Sequence, residues 1–215
     1  MKRSSAWLLV IMATIGITAV VAFAANVHLK HSPPLTFTDN TGPAPSSNLT
    51  LSADGALTGL GGGDVVITLT ASANPTGQCC NPSGACKVPG QNPASVQITG
   101  AQALPGADIK NGNLSFVVST APPETPIPNA PDCPNTSWAE NITDLVFTSA
   151  VVTVYQPAIL ACGLSGTPCT SDSDCSGGVS CVPVNANNNS QAAQSVFVTN
   201  CTLSGVDGAL TRSCP

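Results

Sequence analysis

Basic residues, histidine and aromatic residues are scarce in this chain of 215 residues. It contains six Lys and Arg, two His and only 4% aromatic residues. Two of the six basic residues, Lys2 and Arg3, lie at the amino terminus, which leaves four basic residues against eleven acidic ones in the remainder. A nucleic-acid partner requires clustered Lys and Arg to contact phosphates. The composition therefore excludes nucleic-acid binding.

The shortage of histidine also limits the chemistry. Only His28 and His31 could act as general bases near neutral pH, and no nucleophile stands in a pattern with a base and an orienting group. We therefore predict a protein that is not an enzyme and that binds no cofactor. One alternative concerns His28: cleavage of the chain after Ala25 would create a free-amine copper site of Asn26, Val27 and His28. The other interpretation of His28 is an exposed strand residue.

Cysteine, in contrast, is abundant, and all ten cysteines follow a signal-peptide pattern. Lys2 and Arg3 precede an apolar run from Ala6 to Ala22, and Ala22-Phe23-Ala24 fits signal peptidase. Residues 1–24 are thus predicted to be a signal peptide, although the run approaches the length of an uncleaved anchor. An even number of cysteines behind an export signal indicates disulfides and a secreted, extracellular or cell-surface protein. Membrane contact is predicted only through the signal peptide before its cleavage.

The cysteines form three groups along the chain, each with an even number of members. The groups are Cys79, Cys80, Cys86 and Cys133; Cys162, Cys169, Cys175 and Cys181; and Cys201 and Cys214. The simplest hypothesis is that each group forms disulfides within itself. Neighbouring α-carbons are about 3.8 Å apart, so Cys79 and Cys80 should have different partners, one of which is Cys133.

Apolar residues recur at every second position, which predicts strands. The clearest strand covers Asp64 to Ser72 and should be central. Val65, Ile67, Leu69 and Ala71 should share one face of this strand, and Val66, Thr68 and Thr70 the other. Asp54-Gly55 and Asn111-Gly112 each predict a tight hairpin turn, the second one joining residues 107–110 to an alternating segment, 114–118.

Further strands are predicted over 142–148, 150–156 and 196–203. The alternation changes phase near Ser149, which indicates a bulge or a bend where the chain changes sheet. About eight strands with long turns predict an all-β fold, an Ig-like or jelly-roll sandwich with disulfide-stapled loops. Trp138 is expected to be buried beside a disulfide.

The predicted domain organisation is one β-sandwich, residues 25–160 plus 195–215, with a Cys-rich insertion and polar linker at 161–190. The segment from Cys162 to Cys181 lacks a strand pattern and interrupts segments that have one. Its Cys-x-Ser-Asp-x-Asp-Cys-x-Gly-Gly core resembles small extracellular disulfide modules, including a stretch of whey-acidic-protein domains. That resemblance covers about 20 residues and four cysteines, so inhibitor function is not carried over.

A wider resemblance covers residues 27–155. The segments that carry it are Val27-His-Leu-Lys30, Pro34-Leu-Thr-Phe-Thr-Asp39, Gly63-Asp-Val-Val-Ile-Thr-Leu-Thr-Ala71, Pro89-Gly-Gln-Asn-Pro93, Lys110-Asn-Gly-Asn113, Pro131-Asp-Cys-Pro-Asn135 and Ile142-Thr-Asp144. Together they resemble a group of uncharacterised exported bacterial β-sandwich proteins. The resemblance implies a small secreted β domain and carries no known activity.

Two functions of different classes are favoured over a third, a secreted enzyme or protease inhibitor. The first is a secreted structural or cell-surface protein that self-associates when Val27 to Asp39 adds as a strand to a neighbouring copy. The alternative is an extracellular binding module for a surface glycan or calcium, with the Cys-rich loops as the recognition surface. Asp172 and Asp174, near Asn185 to Asn189, could offer oxygen ligands to Ca²⁺ or could be ordinary turn residues. Trp138 and Tyr155 could form a platform that stacks on sugar rings.

Overall fold

The computed structural model describes residues 26–41, 48–89, 92–163 and 165–215. The predicted signal peptide, residues 1–24, lies outside them. The described residues form antiparallel β-sheets with two single-turn 3-10 helices, Gly106–Asp108 and Asp172–Asp174, which confirms the predicted all-β class. Within these ranges, no helix has the length and apolar character needed to cross a membrane.

The first sheet is built around one strand, β3 (Leu51–Thr58). Its members are β1 (His28–Leu29), β2 (Thr36–Asp39), β3 (Leu51–Thr58), β7 (Leu114–Ser119) and β13 (Gly208–Ala209). Strand β7 pairs with one edge of β3, and β1 and β2 pair with successive parts of the other edge. Strand β13 then pairs with β2.

The second sheet is built around the two longest strands. Its members are β4 (Val65–Cys80), β5 (Cys86–Lys87), β6 (Val96–Leu104), β8 (Ala139–Tyr155), β12 (Ser195–Ser204) and β14 (Thr211–Ser213). Strands β4 and β8 pair along nearly their whole length. A third, smaller sheet contains β9 (Ala158–Cys162), β10 (Cys181–Asn185) and β11 (Asn188–Ala192).

The main core lies between the first and second sheets, because each sheet buries alternate side chains against the other. Strand β4 contributes Val65, Ile67, Leu69 and Ala71, which were predicted to share one face, and all four are completely buried. They share one cluster with residues of the first sheet and of β8, including Phe37, Leu51, Phe116, Val118, Leu145 and Phe147. The predicted sandwich and the predicted central strand are thus both confirmed.

The two strands predicted on either side of Ser149 are one continuous strand, β8, which stays paired with β4 throughout. The phase change is a bulge, as predicted, but the chain does not change sheet. Thr148 and Thr143 are extra residues in the register, and the hydroxyl group of each donates to a carbonyl oxygen of β4, at Ser72 and Thr76 respectively, over 3.2 Å. These hydrogen bonds keep the strand in the sheet through both irregularities.

The hairpin turn predicted at Asp54-Gly55 is wrong, because β3 runs straight through both residues. Gly55 serves close packing instead of a turn. A β-carbon at this position would lie 3.0 Å from Cζ of Phe116 and 3.2 Å from Cδ1 of Leu35. Asp-Gly favours a turn locally, but here the missing side chain makes room for a core aromatic ring.

The turn predicted at Asn111-Gly112 is confirmed. Both residues have positive φ angles, 51° and 74°, and Lys110 and Asn113 exchange two backbone hydrogen bonds of 2.9 Å. The segment before the turn is the 3-10 helix Gly106–Asp108, not the predicted strand.

The amino-terminal segment, Val27 to Asp39, forms β1 and β2, and both strands pair with β3 of the same chain. Donation of this segment to the sheet of a neighbouring copy would therefore have to replace these contacts. Self-association by this route stays a prediction.

The five disulfides each join cysteines of one predicted group and together use all ten cysteines. They are Cys79–Cys133, Cys80–Cys86, Cys162–Cys175, Cys169–Cys181 and Cys201–Cys214. Adjacent Cys79 and Cys80 have different partners, as expected. Cys79–Cys133 links β4 to the Pro-rich loop across 54 residues of chain and therefore closes the longest loop.

Gly100 of β6 marks a close approach between the two sheets. A β-carbon here would lie 1.9 Å from the carbonyl oxygen of Ser119, at the end of β7. Just beside it, the Ala121 N–H donates to the Thr99 carbonyl oxygen over 2.8 Å. Any side chain at position 100 must therefore separate the backbones at this point.

We predict that Gly100→Ala lowers the free energy of unfolding by about 3 kcal/mol, because the clash is with backbone and cannot be relieved by a rotamer change. The matched control is Gly62→Ala, at a site with nothing within 4 Å of the added β-carbon. It should change stability by less than about 1 kcal/mol. Chemical denaturation of both variants measures the difference, and equal losses would contradict the assignment.

Candidate functional site

The Cys-rich segment folds as the long loop of a hairpin. Cys162 ends β9 and Cys181 begins β10, and these two residues are direct partners in the small sheet. The polar tract that follows returns as β11 beside β10. We call residues 158–192 the cysteine-rich lobe.

The lobe shares a core with the second sheet. Val66, an outward residue of β4, is completely buried, and it forms a second hydrophobic cluster with Ala158, Leu160, Cys162 and Cys169. Tyr155 and Ala101 of the sheet pack against the same cluster. The lobe is therefore held on the outer face of the sheet in a fixed position.

Asp172 and Asp174, the two candidate calcium ligands, accept hydrogen bonds from residues of the lobe itself. Oδ2 of Asp174 accepts hydrogen bonds from N–H and Oγ1 of Thr170, both 2.7 Å, and from the N–H of Ser171 at 3.1 Å. Oδ1 of Asp172 accepts from the N–H of Cys181 at 2.6 Å. These contacts match the alternative interpretation of both residues as turn acids.

The described residues contain one group of three His, Cys, Asp or Glu side chains with ligand atoms within 4.8 Å of one another, namely Cys162, Cys169 and Cys175. All three sulfur atoms are in disulfides, so they are not available as thiolate ligands. Asp172 and Asp174 are not in this group.

His28 and His31 are exposed near the first sheet, where Nδ1 of His28 donates to the Asn26 carbonyl oxygen over 2.9 Å. Ala25, on which the copper alternative depends, lies outside the described residues.

Trp138 and Tyr155 do not form a common platform. Trp138 precedes β8 and Tyr155 is its last residue. The 17 residues of this strand span about 55 Å at about 3.3 Å per residue. Trp138 is half-buried, so the expectation of a buried Trp was wrong. It follows the exposed Pro-rich loop in a turn closed on Asn135, whereas Tyr155 packs under the lobe.

The outer face of the second sheet carries a regular array of small uncharged side chains. Pairing register places them in three rows across neighbouring strands: Gln97, Ser72, Ser149 and Thr202; Thr99, Thr70, Val151 and Asn200; and Thr68, Thr153 and Val198. We call these eleven residues the hydroxyl face. Neighbours are about 4.8 Å apart between strands and about 6.7 Å apart along a strand.

Most hydroxyl groups of this face have no hydrogen-bond partner among the described residues. Thr202 is the exception, because its Oγ1 donates to the Ser213 carbonyl oxygen over 3.3 Å. The free hydroxyl groups belong to Thr68, Thr70, Thr99, Ser72, Ser149 and Thr153. Each hydroxyl can donate one hydrogen bond and accept two, so the face can pair with a ligand of either polarity.

The lobe overhangs one end of the hydroxyl face and creates a cleft of about 610 Å³. Thr68, Thr70 and Thr99 form its floor, and the lobe loop from Thr170 to Ser173 forms one wall. Among the described residues, the cleft is lined by eight hydroxyl side chains and a single charged group, Asp172. Its volume is in the range of small-molecule sites, and its polarity is that of a site for a neutral, hydroxylated ligand.

A second cavity of about 610 Å³ lies between the Pro-rich loop and the segment that leads into β6. Its lining includes Pro123, Ile127, Pro128, Val96 and Ile98. Apolar side chains dominate it, so it offers fewer groups that could orient a ligand than the cleft does.

The sequence predicted that Thr68 and Thr70 share one face of the strand, but it did not predict the site. The array depends on pairing register across four strands, and the cleft depends on where the lobe lies. Comparison with known protein families, curated proteins and solved structures finds no match to this chain. The function must therefore be argued from the site itself.

The hydrogen bonds from Thr170 and Ser171 lower the pKa of Asp174 below its ordinary value of 3.8. The folded state thus favours the ionised form, so the loop gains stability above pH 3.8 and loses it as the pH falls through the lowered pKa.

We predict a titration midpoint below 3.8 for the Asp174 carboxyl carbon by NMR. Thr170→Val, which removes the strongest donor, should raise that midpoint, and an unchanged midpoint would contradict this cause.

Proposed function

We propose that this protein is an extracellular, non-enzymatic surface protein that binds a neutral polysaccharide across the hydroxyl face and the cleft. The observation that carries the proposal is a continuous surface of hydroxyl side chains, six of them unpartnered on the hydroxyl face, with Asp172 as the one charged group among the described residues of the cleft. Sugar hydroxyls, like Ser and Thr hydroxyls, both donate and accept hydrogen bonds. A neutral polysaccharide therefore matches the face in charge and in hydrogen-bonding chemistry.

Five disulfides support the extracellular part of the proposal, because disulfides persist in oxidising compartments. The position of the titratable groups supports a binding role over catalysis. Both histidines lie near the first sheet, whereas the cleft is on the outer face of the second. In the part of the chain that the structure describes, Asp172 is the single titratable group that lines the cleft, and one of its oxygens accepts a hydrogen bond from the N–H of Cys181.

The dimensions of the surface favour a polymer over a single sugar. One hydrogen bond contributes only about 1 kcal/mol of net binding free energy, and this face lacks the aromatic rings that would add more. A long chain that contacts several rows at once gains affinity through many weak contacts. An extended polysaccharide chain that lies along the sheet can form hydrogen bonds with successive rows of the hydroxyl face.

Strand addition by Val27 to Asp39 is the other candidate from the sequence. Both strands of that segment already pair with β3, so donation of the segment to another copy requires exchange of these strands between copies. The hydroxyl face is accessible without any such rearrangement, which favours the binding role.

We predict that the mature protein binds insoluble cellulose, chitin or starch in a depletion assay, and that the double variant Thr70→Ala, Thr99→Ala weakens binding about thirtyfold. The two hydroxyls together should contribute about 2 kcal/mol, which corresponds to that change in Kd. Raising the salt concentration should have little effect, because the contacts are uncharged.

The matched control is the double variant Thr36→Ala, Thr38→Ala, which changes two exposed threonines of β2 in the first sheet. It should bind as the wild type does. Absence of wild-type binding to all three polysaccharides would refute the proposal. Equal losses in the two double variants would show that the hydroxyl face is not the binding surface.

A further inference from the structure

The cavity beside the Pro-rich loop, residues 121–134, is walled by proline and branched aliphatic side chains. Four prolines line it, and we call it the proline pocket: Pro93, Pro123, Pro128 and Pro131. The lining also contains Val96, Ile98, Ile127 and Ile142. Its volume of about 610 Å³ is in the range of pockets that enclose a small molecule. The pocket can therefore bury the apolar body of such a molecule.

The loop that forms one wall of the pocket is held at several points. The disulfide of Cys133 ties the end of the loop to β4. The N–H of Ile127 donates to the carbonyl oxygen of Glu140 on β8 over 2.7 Å, and the hydroxyl oxygen of Thr125 accepts from the N–H of Ile142 over 3.0 Å. Each proline also fixes its own φ angle. A pocket preformed in this way loses little conformational freedom when a ligand enters.

The charged side chains that line the pocket are both acidic. They are Glu124, which is exposed, and Asp132, which is half-buried, so both carboxylates lie where the pocket meets solvent. None of the described lining residues is Lys, Arg or His. An apolar pocket with two acids at its mouth is complementary to a ligand that carries a positive charge.

A third carboxyl group lies next to this wall. Glu140 is completely buried, and its Oε2 accepts a hydrogen bond from the N–H of Asp132 over 3.2 Å. Its other oxygen, Oε1, has no hydrogen-bond partner among the described residues. The surroundings of the pocket therefore add another acceptor group to the two acids of the lining.

We propose that the proline pocket binds a small organic cation, namely a protonated amine with an apolar alkyl or arylalkyl body. The body lies against the proline and aliphatic side chains, and the ammonium group lies at the mouth beside Glu124 and Asp132. Because the mouth is open to water, the ammonium group stays partly hydrated when it pairs with these carboxylates. The pocket shares no lining residue with the cleft, so this site is separate from the one proposed for a polysaccharide.

The apolar wall should supply most of the affinity and the two acids most of the selectivity. For a small arylalkylamine we expect a Kd on the order of 10⁻³ M. Each ion pair at the mouth should strengthen binding about threefold, since exposed ion pairs contribute little. An amine should therefore bind about tenfold more tightly than a neutral molecule of the same shape.

The test compares 4-phenylbutylamine, 4-phenylbutanol and 4-phenylbutyrate, which share one apolar body and differ in charge. An alkylamine with a pKa of about 10.4, like that of Lys, is protonated at neutral pH. In NMR titrations of the mature chain without polysaccharide, the amine should shift the methyl signals of Ile98, Ile127 and Ile142. The alcohol should bind about tenfold more weakly, and the carboxylate more weakly still. Added NaCl should weaken binding of the amine but not of the alcohol.

Two variants separate the charge of the pocket from the net charge of the chain. The double variant Glu124→Gln, Asp132→Asn should bind the amine about tenfold more weakly and the alcohol as the wild type does. Unchanged binding of the alcohol shows that the pocket is intact. The control is Asp108→Asn, which neutralises an exposed acid outside the lining and should keep the wild-type affinity for the amine.

No methyl shift at an amine concentration about tenfold above the expected Kd would overturn the proposal. Equal affinities for the amine and the carboxylate would also overturn it, as would wild-type affinity for the amine in the double variant. An equal loss in Asp108→Asn would show that the net charge of the chain, and not the pocket, attracts the amine. If the double variant does not fold, Glu124→Gln alone decides, with an expected loss of about threefold. The assay contains no sugar, so its outcome is independent of polysaccharide binding.

Discussion

The pairing of β4 with β8 is the interaction on which the rest of the structure depends. These strands of 16 and 17 residues form the middle of the second sheet, and every other strand of that sheet attaches to one of them, directly or through β12. One face of β4 builds the main core. Its other face supplies Val66 to the core of the lobe and two threonines to the floor of the cleft. A single ladder thus positions both the core and the candidate site.

The sequence predicted features that depend on residues close together in the chain. Period-two alternation identified β4, Asn111-Gly112 identified a turn with two positive φ angles, and the cysteine grouping corresponds to the five disulfides. The predictions that failed concern features that depend on contacts between residues far apart in the sequence. Asp54-Gly55 has the composition of a turn, but the ring of Phe116, about sixty residues away, requires a glycine there in an extended strand. The hydroxyl face could not be predicted, because it exists only in the register of four strands.

Disulfides replace hydrophobic packing in the part of the chain that can least provide it. The buried part of the lobe's core is five residues, two of which are cysteines and one of which belongs to β4. So small a core stabilises little by itself, whereas two closed loops of about 13 residues contribute about 3 kcal/mol each on a chain-entropy estimate. The lobe can therefore present Ser and Thr side chains in its loop without needing apolar residues there. This explains how a rigid cleft wall can also be polar.

The acidic residues show how local donors decide what a carboxylate does. Asp174 is exposed and accepts three hydrogen bonds, so its charge is stabilised and its pKa is lowered. Asp39 is buried, and one of its oxygens has no partner among the described residues, so burial destabilises its charge and raises its pKa. From sequence, the paired aspartates of the lobe look like the better cation ligands, because acid spacing is visible there. In the folded chain one oxygen of each already accepts hydrogen bonds from the loop itself, so the two carboxylates stabilise the loop. Acid spacing in the sequence does not show which donors a carboxylate will have, because those donors are placed by the fold.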